Sequence, residues 1–173
     1  IGWTMRIISG DARGRKLFAP SGEDTRPTAD RIRESLFNIL SNRVWDAEVL
    51  DLFGGTGAMA LEALSRGAAH AVIVDSAREA IRAIQKNAEG VLKDAMNERA
   101  KIIRADYRAA IDAMPEVRFD LVFLDPPYRM TDVYADALTR LRGRELLNAD
   151  CICLLERAAD ARILLPDGFE CTD

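Results

Sequence analysis

Residues 51–64 read Asp51-Leu52-Phe53-Gly54-Gly55-Thr56-Gly57-Ala58-Met59-Ala60-Leu61-Glu62-Ala63-Leu64: the end of an apolar run, three glycines, then helix formers at almost every position. Glycines between a strand and a helix let the backbone turn sharply and approach a ligand at the helix N-terminus. They serve equally well in a tight turn that binds nothing, so the loop gains meaning only from what surrounds it.

Outward from this loop the chain alternates. Apolar runs at Glu48–Phe53, His70–Asp75, Ala100–Ala105, Phe119–Asp125 and Asp150–Glu156 read as strands, and helical patterns fall between them at 58–66, 77–93, 107–113 and 133–143. Strands separated by helices imply a parallel sheet covered on both faces, and right-handed crossovers make it a doubly wound α/β sheet. Ahead of it, Met5–Ser9 and Lys16–Ala19 read as two short strands around the glycine-flanked turn at 10–14. Arg26-Pro27-Thr28 leads into a helix with Thr28 as its cap and Ile32, Leu36, Phe37, Ile39 and Leu40 as its apolar stripe. Residues 1–45 are thus expected to form a hairpin-plus-helix extension, and 46–173 the main α/β domain.

The composition fits a single domain with a real core: 173 residues, 49% hydrophobic and 30% charged. No apolar run nears the roughly 18 residues of a membrane span, and no signal-peptide pattern opens the chain. Three cysteines without a CxxC, and His70 as the single histidine, make a zinc site improbable and suit a reducing cytoplasm. Cys151 and Cys153, two apart on one strand, share a face and cannot bridge. Net charge is −4, unevenly spread: residues 1–45 carry eight basic and five acidic side chains, the remainder 16 and 23. A basic arm on an acidic body suits a polyanion held at one end, although a merely solvated terminus carries such charge too.

Two further strand ends sharpen the loop. Asp75 closes the second strand 18 residues beyond Gly57, where a carboxylate can accept both hydroxyls of a ribose. The glycines, preceded by Asp51, do not follow the G-x-G-x-x-G spacing that frames a pyrophosphate. A ligand with a ribose and no diphosphate is the better match, and S-adenosylmethionine is such a ligand. Asp106, just past the third strand, can accept from an adenine amine, cap the helix at 107–113, or do both.

The fourth strand ends in Asp125-Pro126-Pro127-Tyr128. Two prolines stiffen the backbone and remove two N–H donors, which leaves the Asp125 carboxylate and the Pro126 carbonyl as acceptors at the sheet edge. A nucleobase amine is a weak nucleophile because its lone pair is delocalised into the ring. Acceptors gripping its hydrogens free that pair, and Tyr128 can stack on the base. The reaction would be in-line displacement of a methyl from a sulfonium, driven by positioning and charge without a metal. The chemistry alone does not separate guanine N2 from adenine N6.

The stretches 6–10, 14–17, Arg26–Asn38, Leu50–Gly57, Leu61–Ala68 and Phe119–Tyr128 resemble the bacterial 16S ribosomal RNA guanine-N2 methyltransferases (RsmD type), class I S-adenosylmethionine-dependent methyltransferases with a Rossmann-like fold. The resemblance implies N2-methylation of a guanine of the position-966 type on assembled or partly assembled 30S particles, by a cytoplasmic monomer. It places Asp51, Phe53, Gly54, Gly55, Thr56 and Gly57 at the cofactor, Asp75 at its ribose and Asp106 at its adenine. It sets Thr28 and Arg31 as a lid over the cofactor, Asp125 to Tyr128 at the guanine amine, and Arg6, Arg13, Arg15 and Lys16 on RNA phosphates. The family commonly carries Ala at the place of Gly54 and Glu at that of Asp75, and continues into a final strand pair that 46–173 lacks. Against this stand an adenine-N6 methyltransferase of RNA or DNA, a nicotinamide-dependent oxidoreductase that leaves 125–128 without a role, and a non-catalytic RNA-binding assembly factor. His70 reads as a surface residue at a strand start, Trp3 and Trp45 as packing residues, and Asn87 as a structural link to a neighbouring loop.

Overall fold

The computed structural model describes residues 5–20, 27–127, 132–156 and 165–171. The elements in chain order are α1 (Pro27–Leu40), β1 (Glu48–Asp51), α2 (Ala58–Ser65), β2 (His70–Asp75), α3 (Arg78–Leu92), α4 (Met96–Arg99), β3 (Ala100–Arg104), α5 (Tyr107–Ala113), β4 (Phe119–Leu124), α6 (Asp132–Gly143) and β5 (Leu147–Leu155). All five strands are parallel, in the order β3-β2-β1-β4-β5. The chain winds outward from β1 to β3, returns to β4 beside β1, and winds the other way. The reversal opens a crevice beyond the carboxyl ends of β1 and β4, the place where such sheets bind ligands.

The central strands are apolar at consecutive positions because both faces are covered. One face packs Val49, Ala71, Ile73, Leu121 and Phe123 with α1, α2 and α3; the other packs Leu50, Val74, Val122 and Leu124 with α5 and α6. Cys151 and Cys153 lie on the second face while Ile152 and Leu154 meet the first, so the cysteines share a side as their spacing requires. β5 begins earlier than its sequence pattern indicates, and its register with β4 shifts between Phe119 and Leu121. The short α4 is an element that the apolar pattern did not reveal.

The N-terminal segment departs from its expected form. The two hairpin strands reduce to a single antiparallel bridge, Arg6 to Lys16, supported by backbone bonds between Ile7 and Arg15 and between Leu17 and Met5. α1 begins at Pro27, a residue suited to a first helical position, which puts Thr28 inside the first turn rather than at the cap. Its buried face is Asp30, Arg33, Phe37 and Leu40, whereas Ile32 and Ile39 are exposed. The stripe differs from the apolar pattern because α1 docks through a salt bridge. Met5, Ile7, Leu17 and Phe37 join the same core as the sheet.

That docking centres on Glu62, fully buried on α2. Its Oε1 accepts from the Ile8 N–H at 2.9 Å and from Arg33 Nε at 3.4 Å; its Oε2 accepts from the Ser9 N–H at 3.1 Å and from Arg66 Nε at 2.8 Å. Arg33 also donates to Asp30 and to the Arg6 carbonyl. At the end of α2, Ser65 Oγ accepts from Ala12 N–H and donates to the Ser9 carbonyl. Gly10, at φ 90°, is required there: a Cβ would stand 1.9 Å from the Ser65 carbonyl oxygen. Trp45 covers Gly67 with one ring edge but is 73% exposed, so it is not the packed residue its position before β1 indicates; His70 is an exposed strand-start residue with Nδ1 2.7 Å from Glu48. Trp3 and the last residues lie outside the described ones.

Removing the Glu62 carboxylate would strand buried Arg33 and two backbone donors. Glu62→Ala is therefore expected to lower stability by about 3–5 kcal/mol, and Glu62→Gln, which keeps volume and one acceptor, by less. Urea denaturation reads the difference, and amide exchange at Ile8 and Ser9 should accelerate with it.

Candidate active site

Asp51 ends β1 between Ile73 of β2 and Phe123 of β4, at the mouth of the crevice. It is 3% exposed. Burial pushes its carboxyl up to about 7; the Phe53 N–H that it accepts at 3.2 Å opposes this, and the charges of Asp125 and Asp75 add to it. Three carboxylates from three strand ends thus act on one space, an arrangement that favours a cationic ligand.

The glycine loop closes by two backbone bonds, Gly54 N–H to the Val74 carbonyl and Gly57 N–H to the Gly54 carbonyl, each 2.8 Å. Gly57 takes φ 84° directly before α2, a conformation open to glycine at little cost. A Cβ on Gly54 would approach Ile73 Cγ2 to 2.6 Å and Ile84 Cδ1 to 2.9 Å, so in this chain Gly54 and these large neighbours are matched in size. A Cβ on Gly55 would meet nothing within 4 Å, which leaves that side of the loop open.

Asp75 is fixed by two backbone donors, Gly55 N–H at 3.0 Å and Ala77 N–H at 2.9 Å, one on each oxygen. Each oxygen retains a lone pair for a hydroxyl. Asp106 caps α5, accepting from Arg108 N–H at 2.9 Å and Nε at 3.1 Å, and these bonds hold its carboxyl below the usual range.

Two aromatic rings stand beside it: Phe53, from the glycine loop, and Tyr107, with centroids 5.6 Å apart. The Tyr107 hydroxyl donates to Asp136 of α6 at 2.5 Å, and burial followed by that bond pushes its pKa up to about 12. Sequence reasoning passed over Tyr107, although an aromatic directly after a strand-end aspartate was the available signal. Asn87, buried on α3, donates to the Thr56 carbonyl and exchanges two bonds with the backbone of Phe18, tying the glycine loop to the N-terminal segment.

Past β4, Asp125 is exposed and Pro126 buried; Tyr128 falls outside the described residues. Asp51, the glycine loop, Asp75 and Asp125 therefore meet at one edge, with Phe53, Asp106 and Tyr107 beside them. Arg31 is exposed on α1, and among the described residues it has no hydrogen bond or ion pair to the loop; the Thr28 side chain is outside the described ones. Arg6, Arg13, Arg15 and Lys16 are exposed, and the hairpin turn is bonded to the far end of α2 rather than to the crevice. Among the described residues no group of three ligating side chains could hold a metal ion, and no helix is long and apolar enough to cross a membrane.

Residues 5–173 match the family described as Conserved hypothetical protein 95. The chain belongs to this family, that of ribosomal RNA small subunit methyltransferase D. It is similar to the protein of that name from Escherichia coli strain K12, 40% identical over 125 residues, which are 72% of this chain and 61% of that one. The Haemophilus influenzae protein of the same name is 32% identical over 169 residues, 95% of this chain and 84% of that one. The solved structure of Escherichia coli yhhF aligns with a TM-score of 0.80 at 31% identity, covering 95% of this chain and 87% of that one. The C-terminal domain of precorrin-6Y C5,15-methyltransferase from Rhodobacter capsulatus, 22% identical with a TM-score of 0.57, covering 76% of this chain and 62% of that one, shares the fold alone. The fold of this family member is thus the doubly wound sheet that its strand pattern implies, in the Rossmann-like class I methyltransferase form that the family resemblance implies.

The raised Asp51 carboxyl has a signature in stability. Between its unfolded value of 3.8 and about 7 the folded chain holds a proton that the unfolded chain has released. The stability linked to that proton is complete at low pH and is lost as pH rises through the folded value. Asp51→Asn should melt above the unaltered protein at about pH 8, with the gap closing toward about pH 4. Calorimetry at both values tests this, and a gap independent of pH would mean that Asp51 ionises as it does in water.

Proposed function

We propose that the protein transfers the methyl group of S-adenosylmethionine to the exocyclic N2 amine of a guanine in 16S ribosomal RNA, within small-subunit particles. The names of its relatives support ribosomal RNA as the methyl acceptor. The observation that carries the finer reading is the Asp125-Pro126-Pro127 turn placed beside Asp51 at the β1–β4 crevice, acceptors of one ligand next to the carboxylates suited to another.

The residues present fit the cofactor. It would supply an activated methyl on a positively charged sulfur. Asp51 and its neighbouring carboxylates favour that charge, the open side of Gly55 leaves room at the loop, and Asp75 keeps lone pairs for the ribose hydroxyls. Phe53 and Tyr107 offer an apolar wall beside Asp106 for the adenine. Asp125 and the Pro126 carbonyl would hold the two hydrogens of the guanine amine and turn its lone pair toward the methyl; the methyl–sulfur bond breaks as the nitrogen–carbon bond forms, the sulfur leaves as a neutral thioether, and the surplus amine proton passes through the exposed Asp125 carboxylate to water. Tyr128 stacks on the base, and proximity provides much of the acceleration.

In this reading residues 1–45 form the RNA-contacting extension, with Arg6, Arg13, Arg15 and Lys16 on phosphates and Thr28 and Arg31 closing over the cofactor. Residues 46–173 form the catalytic part, and the protein acts in the cytoplasm as a monomer.

The direct test is methyl transfer from radiolabelled S-adenosylmethionine to 30S particles lacking the modification, followed by digestion to nucleosides. N2-methylguanosine is the expected product. Labelled N6-methyladenosine would overturn the base, and cofactor binding without any label would leave an RNA-binding factor. In the same assay Asp125→Ala should lower kcat by at least about 10²-fold while cofactor affinity stays within a few-fold. Equal loss of both would move Asp125 to the cofactor side.

A further inference from the structure

The hairpin turn lies at the end of α2 away from the catalytic crevice. The turn at Gly10–Ala12 is bonded to Ser65, the last residue of α2, whereas α2 begins at the glycine loop. An RNA that reaches Asp125 and also touches Arg13 or Arg15 must therefore run the length of a helix. α3 offers the lane. It starts three residues past Asp75 at the crevice rim, and its exposed positions Arg78, Arg82 and Lys86 fall four residues apart on one side. The next position in that series is Gly90, where a Cβ would stand 3.1 Å from Arg15 Nε and Nη2. A glycine within a helix costs stability, and here it lets the hairpin guanidinium settle onto the helix.

Between α3 and the second arm of the hairpin lies an open groove of about 740 Å³, lined by Arg15, Lys16, Phe18, Lys86, Glu89 and Gly90 among others. Cations outnumber the one carboxylate in it. Among the described residues none of Arg13, Arg15, Lys16, Arg78, Arg82 and Lys86 forms an ion pair. Phe18 is 47% exposed, and the Lys86 ammonium sits 4.3 Å from its ring centroid. Its backbone is clamped by Asn87 through bonds of 2.6 and 2.8 Å, which fixes the point from which the exposed ring projects. An exposed aromatic on a clamped backbone, among cations that form no ion pair, is the arrangement that takes a single nucleic-acid strand, phosphates on the charges and a base on the ring.

We infer that the groove between α3 and the hairpin is a single-strand RNA track, in which Arg78, Arg82 and Lys86 carry the phosphates from the crevice toward Arg15 and Phe18 stacks on one base. The inference rests on the proposed RNA substrate and adds its path, with three cations and an aromatic outside the hairpin's basic set.

The test measures binding of an unmodified 16S rRNA transcript between ~50 and ~200 mM salt, with cofactor affinity as the control for folding. The doubly reversed variant R82E/K86E should bind RNA at least tenfold more weakly and lower the slope of log K against log salt by about 1.4, two single-strand phosphate contacts. Phe18→Ala should weaken binding by roughly 5-fold to 150-fold with the slope unchanged. Phe18→Trp should retain affinity, with its indole fluorescence quenched on binding. If the unaltered protein binds RNA while R82E/K86E keeps its slope, or while the indole at position 18 stays unquenched, the track is wrong and the proposed function stands. If the unaltered protein binds no RNA and methylates no particle, the proposed function falls and the track falls with it.

Discussion

The Glu62 carboxylate is the contact on which the rest of the architecture hangs. It sits on α2 with no exposed surface and gathers two guanidinium groups and two backbone N–H groups from three separate parts of the chain. Taking a carboxylate and an arginine out of water costs several kcal/mol per ion, and only close to complete pairing offsets this. The value of such a cluster lies in specificity: a slip of α1 or of the hairpin would leave a charge buried without a partner. The N-terminal segment is therefore set in one register on the sheet, although its own regular structure amounts to a single bridge.

Asn87 carries that register to the chemistry. One side chain holds the backbone of Phe18 and the carbonyl of Thr56, so the hairpin arm and the glycine loop share a support. Through it, the placement of the basic hairpin and the shape of the loop are two consequences of the same packing. The loop in turn donates from Gly55 to one oxygen of Asp75, and with the Ala77 N–H on the other oxygen it sets the orientation of that carboxylate.

The crevice shows the opposite electrostatic choice. Glu62 is paired on every side, whereas Asp51 is buried with one backbone donor and two like charges nearby, and its carboxyl rises to about 7. Such a group weakens the folded state at neutral pH. A site that costs stability when empty and gains a favourable partner when a cation enters is a common way to prepare charge for binding.

Much of the fold was legible in the residues alone. The strands were short unbroken apolar runs because they are covered on both faces, and the positions of the glycine loop, Asp75, Asp106 and Asp125 at the carboxyl edge were legible because each lies at or just past a strand end. What the residues alone did not reveal came from long-range partners. The buried side of α1 is built on Arg33 and Asp30, polar residues that an apolar pattern assigns to solvent, and they are buried because Glu62 waits on a helix 29 residues away. The hairpin cations were visible as charge, but their position at the far end from the crevice follows from bonds to Ser65 that no local pattern encodes. Local sequence determined the five strands of the sheet and the longer helices between them, but neither α4 nor the reduction of the hairpin to a single bridge. Tertiary structure decided which charges are buried and which line the surface, because that depends on partners distant in the chain.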